Sequence, residues 1–190
     1  MGNFFGNVSF WIIAIVVLLV LWLITTANKL TRKKAKAEQA FSDVDVYLTQ
    51  RYDLIPNVVS TVKGYSKHEK ETLEAVIKAR NAAVNAGSIN DKVDADNNVT
   101  DAVSKLFALA ESYPELKANE GFLKLQTSLE NIEKDLVGAR RYYNAAAQAY
   151  NLATRVIPSN IVAKIFGYTE MSMFKATEEQ KQNVKVDFEN

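Results

Sequence analysis

The chain has 190 residues, with 23 Lys and Arg against 22 Asp and Glu, one His and no Cys. These counts exclude disulfide stapling, a cysteine nucleophile and any zinc or iron–sulfur site built on thiolates. A net charge of +1 supplies no general basic field for gripping nucleic acid, and no nucleic-acid partner is expected. The balance hides an uneven layout. Residues 1–28 carry no charged side chain, and Lys29, Arg32, Lys33, Lys34 and Lys36 then follow within eight positions, which leaves about −4 for the remainder.

Phe10 to Ile24 is an unbroken apolar run, and Val8 to Ala27 makes twenty residues without a charge. Twenty helical residues cover about 30 Å, the thickness of a bilayer's hydrocarbon core. A signal peptide would want basic residues before the run and small residues at a cleavage site after it. Nothing basic precedes this run, and Thr25-Thr26-Ala27-Asn28-Lys29 is a poor cleavage site. The segment is therefore expected to be a retained single span within residues 1–28, about 8–27, with Trp11 in the aromatic belt at its outer end. The basic collar at 29–36 sets the direction, because positive residues stay on the cytoplasmic side. The N-terminus is thus expected outside and residues 29–190 inside, with Lys29, Arg32, Lys33, Lys34 and Lys36 near anionic headgroups. Membrane lipids are the first expected partner.

Between Gly6 and Pro56 there is neither Gly nor Pro, so the span can run straight on as a helix. Ala37, Phe41, Val44, Leu48, Arg51, Ile55, Val58 and Val62 recur at spacings of four and three, a helical seam with one charged member. Pro56 removes a helix hydrogen bond and either kinks this helix or begins a new one. Gly64 reads as a C-cap, and Ser66-Lys67-His68-Glu69 as a capping box for a second helix. That helix is expected to reach about Ala86, with Leu73, Val76, Ile77, Arg80, Ala83 and Val84 inward. Gly87 to Asn98 reads as a polar loop. A third helix spans about Val99 to Glu111 on Val99, Ala102, Val103, Leu106, Phe107 and Ala110, and Tyr113-Pro114 breaks it.

The last long helix carries Phe122, Leu125, Leu129, Ile132, Leu136, Ala139, Tyr143, Ala146, Tyr150, Ala153 and Ile157 in strict 3-4 spacing, the kind of seam that antiparallel bundles and coiled coils bury. Its tyrosine hydroxyls need partners. Pro158 stops it. Pro158 to Tyr168 is a short apolar helix ending at Gly167, which either closes the bundle core or touches a membrane or a second subunit. Val184, Val186 and Phe188 alternate with charges as a strand does. A loosely attached tail and β-addition to a neighbour both fit. The expected architecture is all-α: an N-terminal transmembrane helix continuous with an elongated antiparallel helical bundle over 37–167, followed by a tail at 168–190.

Little here suggests catalysis. His68 stands beside Glu69 and Glu71 with no second imidazole, and a capping or inter-helix role suits it better than acid–base work. No phosphate-cradling glycine loop, HExxH or GxSxG occurs. Asp91, Asp94 and Asp96 lack the glycine and terminal Glu of an EF-hand, and a solvated loop is the better reading. No metal or cofactor is expected. Arg51 sits at a seam position, where an unpaired charge is costly. It either pairs, with Asp45, Asp53 or Glu residues on neighbouring helices, or snorkels to the bundle surface.

Arg51-Tyr52-Asp53-Leu54-Ile55-Pro56-Asn57-Val58-Val59, Tyr65 to Glu69, Tyr113 to Asn119 and Phe122 to Gln126 together resemble the LemA family of bacterial membrane proteins. Arg140, Tyr143-Asn144, Tyr150-Asn151, Ile157-Pro158-Ser159-Asn160, Phe166-Gly167-Tyr168 and Val184 to Phe188 continue the match along nearly the whole chain. Ile157 stands where the family commonly has Phe, and Val58 where Leu is usual. The resemblance implies a helical bundle on one N-terminal span in the bacterial inner membrane and no settled reaction. Members of that family are often encoded near zinc metalloproteases or small membrane-associated domains, so the resemblance hints weakly at another membrane protein as a partner.

The expected function is therefore a non-enzymatic scaffold that self-assembles as a homo-oligomer on the membrane, the alternative being an adaptor of a membrane protease or signalling protein. Arg51, Asp53, Asn57, Asn119, Arg140, Tyr143, Asn144, Tyr150 and Asn151 are the residues expected to carry inter-helix or inter-subunit polar networks.

Overall fold

The computed structural model describes residues 2–66 and 68–175, with side chains from residue 8 onward. All regular elements among them are helices: α1 (Gly2–Tyr65), α2 (Lys70–Val84), α3 (Ile89–Ala110), α4 (Pro114–Lys117), α5 (Glu120–Arg155) and α6 (Ser159–Ile165). The strand-like pattern at 184–188 lies outside the described residues, as does Lys67.

α1 is a single helix of 64 residues, about 96 Å long at 1.5 Å per residue. Its character changes along its length. From Phe10 to Leu21 nearly every side chain is exposed, although all are apolar, and this stretch is long and apolar enough to cross a membrane. From Leu30 onward one face is buried, and all eight residues of the 37–62 seam lie in the core, Arg51 included. α1 continues through Pro56, which therefore does not begin a new helix. The carbonyl of Tyr52, which a residue with an N–H at 56 would have satisfied, is met from α2 instead.

Cross-helix partners give the topology. Phe41 packs edge-on against Tyr143, Arg51 pairs with Glu133, and Asn119 reaches Tyr65, so α5 runs antiparallel to α1. Arg80 reaches Tyr52, whereas Lys92 and Asp96 reach Asp45 and Arg51 in turn, so α2 descends and α3 rises beside α1. The result is an up-down four-helix bundle with one strut prolonged. Its core is the α1 seam, the α3 positions Val93, Val99, Val103 and Leu106, and the α5 seam. Fully burying each such aliphatic side chain stabilises by about 1.5–3 kcal/mol. The α5 seam is therefore taken up within the chain. Ile157, its last expected member, lies past the helix end and is 83% exposed.

Several local expectations are corrected. Gly64 lies inside α1, and Ser66 donates back to the Val62 carbonyl instead of capping α2. α2 begins at Lys70 without a side-chain cap and ends at Val84, two residues short of Ala86. Val84 is exposed. The largest correction concerns Gly87 to Asn98, most of which is helical. Ser88 accepts from Asp91 N and donates to its carboxylate, a capping interaction that starts α3 ten residues earlier than expected.

α6 ends in a Schellman turn: Gly167 N donates to the Lys164 carbonyl and Tyr168 N to that of Ala163. Gly167 has φ +70, a conformation that strains any residue with a Cβ. The turn sends Tyr168 back to α1, where its hydroxyl lies 2.6 Å from Thr31 Oγ1 and donates to the Ala27 carbonyl.

Candidate functional site

Two polar constellations organise the bundle. The first is a charge cluster at its centre. Asp96, 1% exposed, occupies a seam position of α3 between Val93 and Val99. Its Oδ1 accepts from Arg51 at 3.0 Å and from the Tyr52 hydroxyl at 2.9 Å, and its Oδ2 from Arg140 at 2.6 Å. One carboxylate thus ties α3 to α1 and α5. Glu133 on α5 supplies the second negative charge, 2.7 Å from Arg51 Nε and 3.8 Å from Arg140. The cluster is formally neutral, which buried charges require. Thr100 accepts from Arg51 and donates to the Asp96 carbonyl, closing the network. Burial, then the adjacent Asp96 charge, raises the Tyr52 hydroxyl far above its ordinary pKa, so it stays a donor.

Arg51 is therefore paired and does not snorkel. Of its expected partners only a Glu on a neighbouring helix is used. Asp45 instead takes Lys92 at 2.7 Å, and exposed Asp53 lies 3.9 Å from Arg80. Asp96 is the residue that sequence reasoning missed. Its stretch, rich in Asn and Asp, reads as a solvated loop, yet Ile89, Val93, Asp96, Val99 and Val103 already hold the helical spacing.

The second constellation is a clamp along the last three turns of α5. Asn144 accepts from Phe174 N and donates to the Phe174 carbonyl, both at 3.0 Å. Asn151 does the same for Met171, at 2.9 and 2.8 Å. The Tyr143 hydroxyl donates to the Ser172 carbonyl and that of Tyr150 to Thr169. Two Tyr-Asn pairs one heptad apart thus hold residues 169–174 as an extended strap. Seven helical residues advance about 10.5 Å, and three extended residues about 10 Å, so the two periods coincide. The strap's Phe174 stacks on Phe41 and lies beneath the Arg140 guanidinium at 5.1 Å. Residues 169–174, the first part of the tail assigned from the sequence to 168–190, are bound to the bundle. Burial pushes the Tyr143 hydroxyl up to about 12.

The remaining expected site residues are dispersed. Asn119 caps α5 through Phe122 N and donates to the Tyr65 hydroxyl, securing the far end of the bundle. Asn57 is exposed and its side chain joins neither constellation. Trp11 is exposed on α1, edge-on to Phe10 at 5.9 Å. Lys29, Arg32, Lys33, Lys34 and Lys36 are all exposed, Lys34 lying 3.6 Å from Glu38. His68 is exposed between α1 and α2, and caps nothing. Among the described residues no group of acidic or imidazole side chains is arranged to hold a metal. An open groove of about 830 Å³ lies between the ends of α1 and α2, its floor Val59, Leu73 and Ile77 and its rim Lys63, Lys70, Lys78 and Glu74.

Comparison with known proteins matches residues 40–188 to the model of the LemA family. Protein LemA of Metamycoplasma hominis is 23% identical over 158 residues, which cover 83% of this chain and 72% of that protein. Magnetosome protein MamQ of Magnetospirillum gryphiswaldense is 23% identical over 192 residues, covering 85% of this chain and 71% of that one. Magnetosome protein MamQ 1 of Paramagnetospirillum magneticum is 32% identical over 81 residues, 43% of this chain and 30% of its own length.

Proposed function

The chain belongs to the LemA family, and on that premise we propose that it is a non-enzymatic, membrane-anchored scaffold whose copies assemble side by side on the inner membrane. The observation that carries this reading is the unbroken α1. A helix that continues from the span into the bundle makes them move together, so the bundle stands at a set height over the bilayer. The collar directs the bundle to the cytoplasm and the N-terminus outward. The first constellation pairs its charges within the chain and the second bonds its tyrosines and asparagines to the strap, so both lock elements together, which supports a structural role over a chemical one.

Because the α5 seam is consumed within the chain, contacts between copies fall to the spans and the outer helix faces. Mass measurement of the full chain in nanodiscs and in mild detergent tests the assembly. Discrete oligomers are expected, and a strictly monomeric particle at every concentration would overturn it.

The groove between α1 and α2 favours a second reading, an adaptor for another membrane protein. Its apolar floor and lysine-rich rim fit an acidic amphipathic helix of that partner. A photo-crosslinker at Ile77 in native membranes separates the two. Adducts only with other copies favour the scaffold, and a reproducible adduct with one other membrane protein favours the adaptor.

A further inference from the structure

α6 carries more apolar surface outward than inward. Only Val162 and Ala163 are buried, whereas Ile161 is 52%, Ile165 65%, Phe166 57% and the preceding Ile157 83% exposed. A seven-residue helix presenting such a face to water would be a liability, because exposed contiguous apolar patches mark interaction surfaces.

Its position tells what covers it. Val162 and Ala163 form a small core with Leu30, and Trp22, Leu23 and Ala27 of α1 pack against that core together with Ala153 and Tyr168. Tyr168 fastens the corner by its bonds to Ala27 and Thr31. α6 is therefore level with the last turns of the apolar span. From Leu23 to Lys29, the first charge of the collar, α1 rises about 9 Å. An interfacial helix buries its apolar face about 5–10 Å into the boundary between headgroups and acyl chains. The two depths agree. The charges at this corner fit the same level: Arg155 and Glu170 neutralise each other in a bidentate pair, and exposed Lys164 can extend to the headgroups beside Lys29, Arg32 and Lys33.

We propose that α6 and the turn before it form a foot that rests in the bilayer boundary from which α1 emerges, with Ile157, Ile161, Ile165 and Phe166 in contact with lipid. The inference rests on the reading of α1 as a span. The bundle then has two membrane contacts, a span and a foot, and the foot sets its tilt. A lone helical strut leaves tilt and rotation free, whereas a second contact held by the Tyr168 bonds and the strap removes both.

The absence of native Cys permits clean single nitroxide labels at Ile161→Cys, Ile165→Cys, Leu18→Cys and Lys124→Cys in the full chain, reconstituted in vesicles of phosphatidylethanolamine and phosphatidylglycerol. The measurement is collision with oxygen, which concentrates in lipid, against collision with a water-soluble nickel chelate. The expected result is an oxygen-to-nickel ratio at 161 and 165 several-fold above that at 124 and below that at 18. Ratios at 161 and 165 equal to that at 124, with 18 still deep, overturn the foot and leave the span intact. A water-like ratio at 18 overturns both. Low collision with both agents at 161 and 165, with spin–spin broadening between copies, also overturns it by assigning the face to a second chain.

Discussion

Arg80 Nε donates to the main-chain carbonyl of Tyr52 at 3.2 Å, and that carbonyl is the one Pro56 leaves without a donor. Helical hydrogen bonds run from the N–H of residue i to the carbonyl of i−4, and proline at 56 has no N–H to give. A side chain from α2 thus completes the ladder of α1. Tyr52 and its neighbour Arg51 meanwhile send their side chains to Asp96, so one turn of α1 is bound to α2 through its backbone and to α3 through its side chains.

Arg80→Leu is expected to destabilise by about 1–3 kcal/mol, the cost of a part-buried carbonyl losing its donor. In a Pro56→Ala background the same change is expected to cost several-fold less, since an alanine at that position supplies the missing N–H. Denaturant unfolding of the four variants in detergent measures the coupling. Equal costs in both backgrounds would show that Arg80 does not serve this carbonyl.

Removing Asp96 leaves two buried guanidinium groups to share the single carboxylate of Glu133. Asp96→Ala is expected to cost about 3–5 kcal/mol, in the range found when one partner of a buried pair is lost. Asp45→Ala, which breaks a half-exposed pair with Lys92, is expected to cost about 1 kcal/mol or less. Thermal unfolding followed by circular dichroism ranks the two, and a ranking in which Asp45 matters more would refute the central cluster.

The sequence is most legible where one face of a helix is uniformly apolar. All eight α1 seam positions and most of the α5 seam are buried as the spacing requires, and the long uninterrupted run of α1 follows from the absence of Gly and Pro between Gly6 and Pro56. Legibility fails where local composition and tertiary context disagree. Asn90, Asp91, Asp94, Asp96, Asn97 and Asn98 have low helix propensity, yet they are held in α3 by the Ser88 cap and by the cations that Asp96 meets. The strap is illegible for another reason. Thr169 to Phe174 has no pattern of its own, because its backbone is bonded by side chains fifteen or more residues away. The Tyr-Asn pairs could be singled out, but not their acceptors.

Alkaline pH probes the burial of Tyr143. Its hydroxyl titrates near 12 in the folded chain against an ordinary 10.0, because burial disfavours the phenolate. The unfolded chain therefore binds one proton fewer between these values, and stability falls as pH rises through that window. The contribution is at most about 1.4 kcal/mol per pH unit for this residue. Tyr143→Phe is expected to be less stable below pH 10 by about 1 kcal/mol, through loss of the bond to Ser172. It is also expected to lose stability less steeply above pH 10. Parallel stability–pH curves for the two proteins would contradict a buried hydroxyl at this position.

The clamp makes the last prediction, which separates the strap from the bundle it lies on. Each asparagine makes two hydrogen bonds to one strap residue, so Asn144→Ala and Asn151→Ala each leave a backbone N–H and a carbonyl without partners. Those groups recover water if the strap lifts, which limits the global cost to about 1–3 kcal/mol. The local effect is expected to be larger. Amide exchange at Met171 and Phe174 depends on opening of the strap alone, whereas exchange in the middle of α5 requires global unfolding. The double variant is therefore expected to exchange at least tenfold faster at 171 and 174 while Leu136 stays protected. Because Tyr150 and Tyr143 still hold the carbonyls of Thr169 and Ser172, and Asn90 still holds Glu170 and Ser172, adding Tyr143→Phe, Tyr150→Phe and Asn90→Ala is expected to release the strap. Unchanged exchange at 171 and 174 in the double variant would show that apolar packing of Phe174 against Phe41, and not the asparagines, holds the strap down.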